Sequence, residues 1–128
     1  MIKPNFTKAS IIIDVQKEIM KLNLITKYNG FVNFSKEDAK NFYILKKDEN
    51  YYDELVGYIS SDKMYGFVVT GENAILKIKN LATNLRKTLA LKYKLKTDVM
   101  KNVVHASYIK DGVKQIQNEI KIFLKNKR

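Results

Sequence analysis

The side chain with the clearest reactive potential is His105, the only histidine of the chain, in the run Lys101-Asn-Val-Val-His-Ala-Ser107. A neutral imidazole is a good nucleophile near neutral pH and is readily phosphorylated. A lone histidine without context is more often a structural or surface residue, so its chemistry has to be argued from its neighbours. Competing chemistries have little to stand on. The chain has no cysteine, hence no disulfide and no thiolate metal site, and one histidine does not make a histidine-rich zinc site.

Such a ring needs a frame to position it, and the chain reads as helices interleaved with a few strands. Ile11, Val15, Ile19 and Leu22 recur at helical spacing and predict a first amphipathic helix. Leu24 to Phe34 is rich in β-branched and aromatic residues, which predicts an extended segment with a turn or bulge at Asn29-Gly30. Ser35 is placed to cap a helix over Lys36–Leu45, with Asp38 in its first turn, and Tyr52, Leu55, Val56 and Ile59 mark another short helix. Met64–Thr70, between Asp62-Lys63 and Gly71, predicts a buried strand. Ala74, Ile75, Ile78 and Leu81 predict a helix, and Val99–Ala106 a short strand ending near His105. Val113, Ile116, Ile120, Phe123 and Leu124 predict a C-terminal amphipathic helix with a basic outer face. This alternation predicts an α+β sandwich, one sheet covered by helices, in a single domain over residues 1–128.

Composition bounds the partners. Hydrophobic residues at 45% and charged residues at 29%, with only five glycines and one proline, describe a soluble globular chain. No apolar run approaches a membrane span and no basic-apolar-small leader stands at the start, so a cytoplasmic protein with no membrane partner is expected. The net charge of +11 is uneven: residues 1–76 hold ten basic and ten acidic groups, residues 77–128 fourteen basic groups against Asp98, Asp111 and Glu119. Such a field attracts polyanions, whether nucleotide phosphates, nucleic acid or an acidic membrane surface. A solvated lysine-rich surface accounts for the charge equally well.

Several motifs, in order, resemble the nucleoside diphosphate kinase family. They are Ile2-Lys3-Pro4-Asn5, Ser35-Lys-Glu-Asp-Ala39, Phe42-Tyr43, Tyr51-Tyr-Asp-Glu-Leu-Val56, Gly71-Glu-Asn-Ala-Ile75, Asn102-Val-Val-His-Ala-Ser107 and Asn118-Glu-Ile120. The resemblance implies a ferredoxin-like α/β sandwich with an antiparallel sheet. It also implies transfer of the γ-phosphate of ATP to another nucleoside diphosphate, by a ping-pong route through a phosphohistidine. Magnesium (Mg2+) carried by the nucleotide is the implied cofactor, nucleoside di- and triphosphates the implied partners, and a hexamer or tetramer the implied assembly. Residue by residue, it makes His105 the phosphate acceptor, Glu119 the carboxylate that holds its other nitrogen, and Tyr43 the tyrosine beside it. Lys3 takes the place of the lysine that reaches sugar and terminal phosphate, Asn102 of the asparagine at sugar and phosphate, and Tyr51 of the aromatic that stacks on the base. Thr83 falls on a phosphate-binding threonine if two residues are deleted before Ala82.

The departures from the family pattern are as informative. Lys79 and Lys92 stand where the family has two phosphate-binding arginines, keeping charge but losing the planar bidentate fork. The expected loop from Asn84 to Leu91 lacks the family's proline and glycine, and Arg86 lies within it as a possible replacement for a missing arginine. Asn5 and Ala106 replace an acid and a glycine, and about three extra residues fall around Tyr108–Gly112. Only Met1 and Ile2 precede Lys3, where the family has a central strand. Either the fold compensates, or another segment or subunit covers the gap, or the sequence lacks its natural beginning. Taken singly, each site residue also reads as an ordinary core aromatic, surface lysine, turn former or helix charge. Two further functions therefore stay open: a catalytically impaired module whose basic half binds nucleotide or nucleic acid, and a purely structural oligomer subunit.

Overall fold

The computed structural model describes all residues 1–128. In chain order it contains helix α1 (Ala9–Met20), strand β1 (Ile25–Val32), helices α2 (Lys36–Phe42) and α3 (Tyr52–Ile59), strand β2 (Met64–Thr70), and helices α4 (Ala74–Lys92) and α5 (Val113–Asn126). Strands β1 and β2 pair antiparallel, with Val32 opposite Met64 and Asn29 opposite Phe67. Side chains of β2 alternate between two cores, as the pleat requires. Met64 and Val68 join Val32, Phe34 and residues of α2, α3 and α5; Tyr65, Phe67 and Val69 pack against α1 and α4. The sheet is thus covered by helices on both faces.

Two local features set how closely those layers approach. Gly66 lies under the ring of Phe123 on α5, whose Cε2 and Cδ2 occupy the space a Cβ would need. Only a glycine lets the helix settle that close to the strand. At α2, Ser35 adopts extended backbone and its hydroxyl accepts the Asp38 amide at 3.0 Å, the cap expected from the sequence. Asn29-Gly30 makes no turn: β1 runs through it, and the irregularity falls between Thr26 and Tyr28.

The start of the chain does the work of a strand with one residue. Ile2 bridges Tyr65 on one side and Val104 on the other, and its amide and carbonyl both bond Tyr65 (2.7 and 3.2 Å). Lys3 and His105 amides complete the second edge by donating to Val103 and Met1 carbonyls at 2.9 and 2.8 Å. The backbone groups flanking Ile2 are therefore paired despite the short start. The short strand expected within Val99–Ala106 is reduced to the single bridge at Val104, while Val99 is almost fully exposed.

The largest difference from expectation is α4. The segment 84–91, expected as a loop, is helix, and α4 runs unbroken for 19 residues. Nothing in it interrupts a helix: no glycine or proline occurs between Gly71 and Gly112, and Ala82, Leu85 and Leu89 carry the buried stripe onward. In α5 the buried face also differs from the apolar pattern. Val113 and Leu124 are exposed, whereas Gln115 and Glu119 are buried with Ile122 and Phe123.

Candidate active site

Three parts of the chain converge on His105: its first residue, helix α5 and the end of helix α2. Its backbone is clamped by the first residue, since His105 N–H donates to the Met1 carbonyl (2.8 Å) and its own carbonyl accepts the Met1 amine (2.7 Å). The imidazole Nε2 lies 2.7 Å from Glu119 Oε1 on α5. The rings of Phe42 and Tyr43, at the end of α2, stand edge-on to it with centroids 5.2 and 5.4 Å away. Its side chain keeps 18% of its surface exposed, so one side of the ring meets solvent or ligand.

Glu119 is fixed by three donors. Oε1 accepts from His105 and from the Ser107 hydroxyl at 2.9 Å, and Oε2 accepts from Gln115 Nε2 at 3.1 Å. Gln115, one helical turn before Glu119, also donates to the Phe42 carbonyl at 2.9 Å, tying α5 to α2. Burial by itself pushes the Glu119 pKa up, but the bonds from His105, Ser107 and Gln115 outweigh it and hold the carboxyl below its ordinary value. Burial lowers the His105 pKa, and the pull of Glu119 in the other direction does not restore it. The pair at neutral pH is therefore a carboxylate and a neutral imidazole. An acceptor-only carboxylate requires the proton on Nε2, which leaves the Nδ1 lone pair free.

Lys3 and Asn102 form the neighbouring part of the cluster. Lys3 is buried, and its ammonium donates to Asn102 Oδ1 at 2.6 Å and to the Met100 carbonyl at 3.0 Å. Asn102 in turn donates to the Val99 carbonyl at 3.2 Å, so this amide orients the lysine. Burial, reinforced by the charge of Arg86 and opposed by Asp98, lowers the Lys3 pKa to about 8. Tyr43 has its hydroxyl buried with no hydrogen-bond partner. Burial first, and then the charge of Glu119, push that phenol far up, so it remains a neutral donor. A buried polar atom without a partner is uncommon in a folded protein.

The remaining candidates are placed more loosely. Tyr51 is exposed at the start of α3. Lys79, Thr83 and Arg86 follow each other along one stripe of α4, at the four- and three-residue steps that share a helix face. Lys79 lies over the Tyr108 ring at 5.9 Å and the Thr83 hydroxyl bonds the Lys79 carbonyl at 3.1 Å. Lys92 does not join them. A continuous helix carries it about 220° round from Lys79 at ~100° per residue, and its ammonium pairs with Asp14 of α1 at 2.8 Å. The expectation that Lys92 binds phosphate came from its place in the family pattern, and the continuous helix sets it away from Lys79. Gln115 and Ser107 had no assigned part in the sequence reading. Their signals were the helical spacing to Glu119 and the two-residue spacing to His105.

No group of three or more acidic, histidine or cysteine side chains is disposed to hold a metal ion. No helix is long and apolar enough to cross a membrane.

Known proteins carry the same pattern. The family model described as nucleoside diphosphate kinase matches residues 1–128. The nucleoside diphosphate kinase of Persephonella marina is 34% identical over 131 residues, covering 96% of this chain and 89% of that protein. That of Wigglesworthia glossinidia brevipalpis is 27% identical, covering 100% of this chain and 91% of its own length. Among solved structures, the Aquifex aeolicus nucleoside diphosphate kinase superposes with a TM-score of 0.76 at 24% identity, covering 95% of this chain and 89% of that one. A halophilic nucleoside diphosphate kinase from Halobacterium salinarum, solved in complex with CDP, gives 0.79 at 22% identity, covering 95% and 82%. The two superpositions establish a shared ferredoxin-like α+β fold, and the match over the whole length establishes more: this chain belongs to the nucleoside diphosphate kinase family.

Proposed function

We propose that the chain moves the γ-phosphate of a nucleoside triphosphate to a nucleoside diphosphate in two steps through His105. In the first, Nδ1 attacks the γ-phosphorus, the bond from that phosphorus to the β-γ bridging oxygen breaks, and the diphosphate leaves with the bond's electron pair. In the second, a terminal oxygen of another diphosphate attacks the same phosphorus and the N–P bond breaks, restoring the neutral ring. Nothing is oxidised and no proton need leave Nε2. The observation that carries this reading is the Nε2–H bond to Glu119, which leaves Nδ1 unprotonated.

The surrounding residues fit the loose transition state of phosphoryl transfer, which asks for alignment and charge rather than covalent help. Glu119, held by Ser107 and Gln115, fixes the ring and stabilises the positive charge it gains. Lys3 and Lys79 balance phosphate charge, Tyr43 and Thr83 offer hydroxyls to it, Asn102 holds Lys3 and meets the sugar, and Tyr51 stacks on the base. An exposed ring accepts any base face, which fits broad nucleotide use. Mg2+ belongs to the substrate in this scheme, bound to the nucleotide phosphates. A cytoplasmic location and a homo-oligomer of four or six chains belong to the same reading. A noncatalytic polyanion-binding module accounts for the basic surplus but not for the assembly of nucleophile, carboxylate and lysine, and is not favoured.

The test is labelling with ATP carrying a marked γ-phosphate. The protein is expected to take up acid-labile label, to lose it on addition of GDP or CDP, and to take up none as His105→Ala. Label retained in that variant, or label that no diphosphate discharges, would overturn the mechanism.

A further inference from the structure

Arg86 is one of only two arginines in the chain, the other being Arg128 at the far end. Its guanidinium is tied to the segment that carries the nucleophile. Nε donates to the carbonyl of Val104 at 3.1 Å, one residue before His105, and Nη1 to the hydroxyl of Tyr108 at 3.3 Å, three residues after it. A guanidinium carries roughly five N–H donors in a rigid fork, so these two contacts leave part of the fork unused. Arg86 is only half-buried, so those donors are within reach of a ligand.

No carboxylate neutralises it. The ion pairs of the molecule are Lys21–Glu18, Lys92–Asp14 and Lys125–Asp38, and Glu119 is bonded to the neutral His105. Lys3 lacks an acidic partner as well, its ammonium being spent on an amide and a carbonyl oxygen. The charge of Arg86 reaches this group: it is the second cause, after burial, of the lowered Lys3 pKa, and it also acts on the Tyr43 phenol. Two cations without a carboxylate partner and one unpartnered hydroxyl thus belong to the cluster that holds a neutral ring whose own carboxylate is fully engaged. Cations held out of water without a counter-ion are unfavourable until an anion joins them. A phosphate at Nδ1 is the anion that this arrangement accepts.

We propose that Arg86 contacts the substrate, its free N–H donors gripping the phosphates of the bound nucleotide beside His105. The planar fork binds two phosphate oxygens at once, which neither Lys79 nor the displaced Lys92 does. Extension of α4 through 84–91 makes this possible, because it puts Arg86 on the Lys79–Thr83 stripe facing the His105–Tyr108 segment. The inference rests on reading the His105 cluster as a nucleotide-phosphate site.

The experiment compares ADP and adenosine binding by calorimetry in the wild type, Arg86→Gln and Arg86→Lys, alongside melting temperatures and single-turnover labelling by ATP. Arg86→Gln is expected to weaken ADP and slow labelling by about 10²-fold, on the scale of losing one preorganised donor to developing charge, with adenosine affinity kept. Arg86→Lys retains the charge and is expected to fold and fall between the two. Equal weakening of ADP and adenosine, or ADP affinity unchanged in either variant, overturns the proposal and leaves Arg86 as a tie between α4 and the His105 segment. Arg86-dependent ADP binding in a protein that never becomes labelled spares this inference and sinks the phosphotransfer reading. Unchanged labelling in Arg86→Gln does the reverse.

Discussion

His105 and Glu119 differ from an ordinary surface ion pair in what the carboxylate does for the ring. A carboxylate with three donors cannot rotate away, so it dictates which nitrogen carries the proton. Glu119→Gln puts an amide where the acceptor was, and one of its N–H groups then faces the donors of Gln115 or Ser107. Labelling of His105 by ATP is expected to slow about 10²-fold, the usual scale for a misplaced acid–base partner. A labelling rate within twofold of the wild type would mean that the ring is held by packing alone. Lys3 supplies a second test, in which activity and stability move oppositely. With a pKa of about 8 in the folded chain against an ordinary 10.5, it binds fewer protons folded than unfolded across that interval. Its contribution to stability therefore rises with pH between those values, while the charge available to phosphate disappears. We expect kcat/KM to fall above pH 8 with no loss of melting temperature, and Lys3→Met to remove that limb at a reduced plateau. The convergence of His105, Glu119 and Lys3 was legible in the sequence because their order and spacing carried a family pattern. Gln115 was not, because a glutamine at a buried helix position breaks the apolar periodicity that identifies a core face.

Among the elements, β2 and the Ser35 cap of α2 were legible from local chemistry, and α4 was not. The stripe Ala82, Leu85 and Leu89 was present in the sequence, but family expectation placed a loop there. Absence of glycine and proline was a helix signal in its own right, and it decided the outcome. Thr88, exposed in the last third of α4, tests this directly. Thr88→Pro is expected to destabilise the chain by about 3 kcal/mol, the cost of proline in a helix interior, measured by urea unfolding. A loop there would take the same substitution at almost no cost. At the contact between β2 and α5, Gly66→Ala drives a methyl into the Phe123 ring. Overpacking of this kind costs about 1–3 kcal/mol, and because α5 also carries Glu119, the rate of labelling is expected to fall with it. Stability lost with labelling intact would show that α5 can shift without moving its carboxylate.

At the scale of the whole molecule, charge opposes compactness and favours substrate. The surplus of +11 comes entirely from residues 77–128, and of its fourteen basic groups only Lys92 and Lys125 sit in ion pairs, with Asp14 and Asp38. The rest repel one another across α4, α5 and the segment between them, at distances comparable with the screening length of about 10 Å in 0.1 M salt. Shortening that length to roughly 3–5 Å in 0.5–1 M salt removes repulsion between exposed groups. It leaves the buried His105–Glu119 pair nearly untouched, since both partners are shielded from solvent ions. Raising KCl from 0.05 to 0.5 M at pH 7 is therefore expected to raise the melting temperature by a few degrees, about the effect of 1 kcal/mol in a domain of this size. Over the same range the KM for ATP should rise, because the field that concentrates a polyanion near the site is screened by the same ions. The two shifts have one cause and must appear together. A melting temperature that falls with salt would mean that the lysines are already accommodated by local contacts, such as the stacking of Lys79 and Lys110 on Tyr108, and the surplus would then be spent on the substrate alone.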